Sequence, residues 1–75
     1  MISKKAIILN RFGATLREHR LALGLTQEAL ATRTGIDRTY ISGLERGRRN
    51  PTLTVLVRLS SALGISVSRL LIKLP

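Results

Sequence analysis

"TQEALATRTGIDRTYISGLER" spans residues 26–46 and holds two short apolar stretches with a turn between them. Thr26 is a residue type that starts helices, because its side-chain oxygen accepts a hydrogen bond from a free backbone N–H of the first turn. Leu30 and Ala31 then point inward. A tight turn over residues 34–37 follows, built on Gly35 and Ile36. Asp37 caps a further stretch in which Ile41 and Leu44 recur at three-residue spacing, and Gly47 ends it. A glycine-containing turn this short lets two helices cross steeply. Ile36 can plug the angle between them, and the small Ala31 lets them approach. The exposed positions of the latter stretch are unusual. It carries Arg38, Thr39 and Ser42 where a surface helix would more often carry Glu and Lys, and a basic cluster, Arg46 to Arg49, follows at once.

Outward from this pair, glycine and proline punctuate the chain at Gly24, Pro51 and Gly64. A first helix starts near Ser3 or as late as Asn10. Ile8, Phe12, Leu16 and Leu23 fall near helical spacing on one side, and Arg11, Arg17 and Glu18 face water. Pro51 and Thr52 open a fourth helix with apolar Leu53, Leu56, Val57 and Leu63. Ser66 caps a fifth, with Val67, Leu70, Leu71 and Leu74 on one face. No segment sustains period-two alternation. The expected fold class is all-α, five short helices around one core. One domain covers residues 1–75, with residues 1–9 as an N-terminal extension of unassigned order.

Thirteen Lys and Arg against four Asp and Glu give a formal charge of +9 on 75 residues. That excess implies an anionic partner, nucleic acid or a membrane surface. The longest apolar run, Ala6 to Leu9, is far too short to span a bilayer. No small-residue cleavage site follows it, so a signal peptide is not expected and the default location is cytoplasmic. There is no cysteine and a single histidine, His19. Neither a disulfide framework, a metal site nor a cofactor is expected.

Two helices joined by so short a turn have the arrangement of a helix-turn-helix, whose second helix enters the DNA major groove. "GLTQEALA", "TGI", "YISGLERG" and the spaced Pro, Leu and "ALG" of residues 51–64 occur together and in order. On these the chain resembles the lambda-repressor and Cro superfamily. "DRTYISGLERGRRNP" in so short a chain is most similar to the controller proteins of bacterial restriction–modification systems.

The resemblance implies double-stranded DNA as partner. Arg38 and Thr39, at the start of the recognition helix, and Ser42, one turn on, would read bases. Arginine can bond guanine O6 and N7 together, and threonine can offer a methyl to thymine. Gly43 leaves a gap into which a base or phosphate could come close. Gln27, at the start of the second helix, would hold a phosphate. Tyr40, Arg46, Arg48, Arg49 and Asn50 would contact the backbone. Arg33 and Arg58 read as ordinary surface charges. The resemblance also implies a structural ion pair between Arg20 and Glu45. A bound metal or a catalytic carboxylate at Glu45 is the rival, but no further acid is placed to help it.

No spacing suggests a catalytic triad or a phosphate loop, so the chain is expected not to be an enzyme. One such domain reads few base pairs, and specific binding usually needs two copies on a two-fold site. Residues 64–75 are the expected dimerisation region, with Ile65, Val67, Leu70, Ile72 and Leu74 at the contact. The function expected is a homodimeric transcriptional regulator, a repressor or an activator that also touches RNA polymerase. A phage or mobile-element repressor, or an antitoxin acting mainly on a toxin protein, would share the fold. A membrane-active basic peptide fits poorly, because the charge is spread over several faces.

Overall fold

Every helix of the chain begins at a side-chain cap. The computed structural model describes residues 1–75 and contains α1 (Lys4–Ala22), α2 (Gln27–Thr34), α3 (Arg38–Glu45), α4 (Leu53–Leu63) and α5 (Val67–Leu70). Ser3, Thr26, Thr52 and Ser66 each accept a hydrogen bond from the N–H three residues on, at 3.0–3.2 Å. Asp37 accepts from the N–H of Thr39 at 2.7 Å. Each cap satisfies one of the N–H groups that a helix start leaves free. The turn between α2 and α3 depends on Gly35, whose φ of +69° is a left-handed conformation that a side chain resists.

All five helices feed one core. Phe12 and Leu16 of α1, Leu30 of α2, Ile41 and Leu44 of α3, Leu59 and Leu63 of α4 and Leu70 of α5 are buried. Ile36 joins them from the turn, so it fills the angle between α2 and α3. α1 lies across α3 at a close approach. A Cβ on Gly13 would run into the carbonyl oxygens of Leu44 and Glu45. Any larger residue there would force α3 away from α1.

The structure corrects several expectations. α1 takes the earlier of its two starts, so residues 4–9 are helical and Leu9 is buried. Leu23 does not join the core. α1 ends at Ala22, and Leu23 turns outward as its C-terminal cap, 50% exposed. α5 is one turn long, and the chain then folds through a turn against α1. Lys73 pairs with Glu18 there at 2.6 Å, and Arg11 donates to the Lys73 carbonyl at 3.3 Å. Leu70 is wholly buried in its own subunit and therefore belongs to the core, not to a dimer contact. Ile65 and Leu74 are half-buried against the same core. Ile72 alone of that expected set is well exposed, at 64%.

Candidate nucleic-acid interface

One buried ion pair sets how α2 and α3 are held. Arg20 Nε donates to Glu45 Oε2 at 2.7 Å, and its Nη2 donates to Oε1 at 2.9 Å. The third arm, Nη1, donates to the carbonyl of Leu25 at 2.7 Å. The side chains are 8% and 4% exposed. The hydrogen bond to Glu45 raises the Arg20 pKa above its ordinary value, against the opposing effect of burial. The stabilisation from that shift is complete below the ordinary arginine pKa and is lost only in strong alkali. Gln27 joins the cluster, its Nε2 donating to Glu45 Oε1 at 3.2 Å. Three separate stretches of chain are fixed together: α1, the start of α2 and the end of α3. No buried side-chain nitrogen or oxygen lacks a partner, so the charges are held as a satisfied network.

Outside this network lies a basic face. Ile41 and Leu44 bury one side of α3, and Arg38 and Thr39 at its first two positions are exposed. Ser42 is half-buried, and its carbonyl accepts from Arg46 Nε at 3.3 Å. Arg46, Arg48, Arg49 and Asn50 are exposed on the loop after the helix. That loop folds back on α3, tied by the Arg48 N–H donating to the Gly43 carbonyl at 2.9 Å. The Tyr40 hydroxyl donates to the carbonyl of Asn50 at 3.5 Å. The Arg49 guanidinium lies over the Tyr40 ring, 5.8 Å from its centre, a distance at which a cation is attracted to the ring face.

Two site residues differ from the sequence expectation. Gly43 does not present a gap. It is buried beneath the Arg49 side chain, whose Cγ would lie 2.7 Å from a Cβ placed there. The space is filled because the returning loop carries Arg49 across it. Gln27 turns its side-chain amide inward to Glu45, which leaves its backbone N–H in the first turn of α2, where the Thr26 cap accepts instead from Ala29, as the group it could offer to an anion. One contact of Arg38 was missed altogether. Glu28 Oε1 forms an ion pair with Arg38 Nε across the turn. With four acids in the chain, a search for each acid's partner would have been the signal to follow.

No group of three or more His, Cys, Asp or Glu side chains is gathered anywhere, and no helix is long and apolar enough to cross a membrane. A short turn between α2 and α3, an outward α3 start and a basic loop define the helix-turn-helix class. Residues 16–70 match the family model described as Helix-turn-helix, and the chain belongs to that family. Within it, the chain is similar to the restriction-modification controller protein C.AhdI from Aeromonas hydrophila. The two share 48% identity over 83% of this chain and 94% of that one, with a TM-score of 0.81. It is also 43% identical to the control protein C.MunI of a Mycoplasma species, over 80% of this chain and 82% of that protein. The controller protein C.Esp1396I, solved as a tetramer with its natural 35 base-pair operator, matches at 39% identity and a TM-score of 0.78. That match covers 88% of this chain and 91% of the other.

Proposed function

We propose that the chain is a sequence-specific DNA-binding transcriptional regulator that works as a cytoplasmic homodimer and carries out no catalysis. The observation that carries this reading is the placement of Arg38 and Thr39. They stand exposed at the start of a helix whose other side is fixed in the core, between the α2 N-terminus and a loop of three arginines. In this reading Arg38, Thr39 and Ser42 meet base edges in the major groove. The Gln27 backbone N–H, Tyr40, Arg46, Arg48, Arg49 and Asn50 meet phosphates. Phosphate contacts fix register and supply salt-sensitive affinity, while base contacts select the sequence.

Control of a restriction–modification system is the specific role favoured, on the likeness to C.AhdI, C.MunI and C.Esp1396I. Occupancy over a promoter would block polymerase, and occupancy beside it would recruit polymerase. Pairing of two copies is supported by the apolar surface left outside the core: Ile72, with Leu53 and Val57 one turn apart on α4, at 64%, 73% and 52% exposure. Half-buried Val67 opens α5, and half-buried Ile65 and Leu74 flank it.

Selection of bound duplexes from a random pool tests the function. The expected product is a two-fold symmetric site with half-sites about 10 base pairs apart. A pool without enrichment would overturn it. The dimer has its own test. Ile72→Asp places two like charges across a two-fold contact, so the sedimentation coefficient should fall to that of a monomer with the helical signal retained. A variant that stays dimeric would move the interface elsewhere.

A further inference from the structure

Glu28 is the second residue of α2, and Arg38 is the first of α3. Their ion pair joins Glu28 Oε1 to Arg38 Nε, with side chains 65% and 60% exposed. The helix dipole makes an acid welcome in the first turn of α2. It makes a cation unwelcome at the first position of α3, where Glu28 offsets the cost. Yet Arg38 belongs to the same helix and following loop as the exposed Arg46, Arg48 and Arg49. A carboxylate beside Arg38 repels any phosphate that approaches it. It is not needed to hold the fold, since exposed pairs contribute little and Thr26 already caps α2.

We propose that Glu28 is a specificity-determining residue, holding Arg38 as a neutral pair that can still bond a guanine edge but gains little from a bare phosphate. The inference rests on α3 being the base-reading helix. Affinity for phosphate comes from net positive charge, which displaces counterions from the duplex. An arginine neutralised by its own carboxylate offers none. Guanine O6 and N7 are different acceptors: they are uncharged and lie side by side. The guanidinium has five N–H donors. Glu28 faces Nε, and no intramolecular hydrogen bond occupies the terminal nitrogens. The pairing therefore removes the sequence-blind use of Arg38 and keeps the sequence-dependent one.

The test uses Glu28→Gln, Arg38→Ala and the double variant, with helical signal measured for each. Binding is followed over a salt series on a site selected by the wild-type protein and on a random duplex. Glu28→Gln should strengthen random binding about fivefold near physiological salt, with the salt slope steeper by about one unit. On the selected site the gain should stay below about twofold, so the specificity ratio falls. With Arg38→Ala present, Glu28→Gln should no longer change that ratio. Equal strengthening on both duplexes would overturn the proposal and leave Glu28 as bulk charge, as would no change on either. A wild-type protein that prefers no sequence would defeat the base-reading role of α3 itself, before any variant is made.

Discussion

The molecule holds two Arg–Glu pairs that join its helices, and they differ in nearly everything but chemistry. Arg20–Glu45 ties α1 to α3 with both side chains under 10% exposed and all three arms of the guanidinium hydrogen-bonded. Arg38–Glu28 ties α2 to α3 in water, each side chain at least 60% exposed. Burial separates their roles. A charge removed from the interior pair leaves its partner stranded in a low dielectric. A charge removed from the outer pair leaves its partner solvated. The inner pair thus fixes where α3 sits, and the outer pair remains open to exchange with a ligand.

The same substitution at both glutamates breaks the comparison most directly. Glu45→Gln should cost about 3–5 kcal/mol, the range for breaking a buried pair, and thermal unfolding by circular dichroism reads it. Wild-type melting with DNA binding lost would mean that Glu45 belongs to the surface chemistry instead. Arg38→Ala comes next. It should cost about 1–3 kcal/mol of binding on the selected site and much less on random DNA. Equal losses on both would remove it as a base reader. Arg49→Ala should weaken binding to every sequence alike, with the slope of log affinity against log salt smaller by about one unit. A changed base preference would instead make Arg49, lying over Gly43, part of the reading face. The smallest effect should be that of Glu28→Gln on stability, within about 0.5 kcal/mol by denaturant unfolding. A loss as large as that of Glu45→Gln would erase the distinction between the pairs.

Local rules carried the sequence reading as far as local rules go. Thr26, Asp37, Thr52 and Ser66 announce helix starts because capping involves neighbours three residues apart or fewer. Gly35 and Ile36 announce the turn for the same reason. The inner ion pair is different: Arg20 and Glu45 lie 25 residues apart, and only the resemblance to a family joined them. The path of the loop after α3 follows no short-range rule, so Arg49 over Gly43 was illegible. At α5 the periodicity did separate Leu70, on the face with Val67, Leu71 and Leu74, from Ile72, and Leu70 is buried while Ile72 is exposed. What it could not tell is that Leu70 is wholly taken up by the core and unavailable to a dimer contact.

α3 divides its work between side chains that do not overlap. Ile41 and Leu44 anchor it, Gly13 of α1 sets the depth at which it stands, and Arg38, Thr39 and Ser42 contribute nothing to the buried core. In the proposed base-reading role, those three positions form an alphabet that can be rewritten while the page stays the same. A lineage could drift from one operator to another through intermediates that all fold, because no letter is also a support. A combinatorial library at 38, 39 and 42 should accordingly yield mostly soluble, helical proteins with divergent DNA preferences, whereas one at 13, 41 and 44 should yield few folded members of any preference.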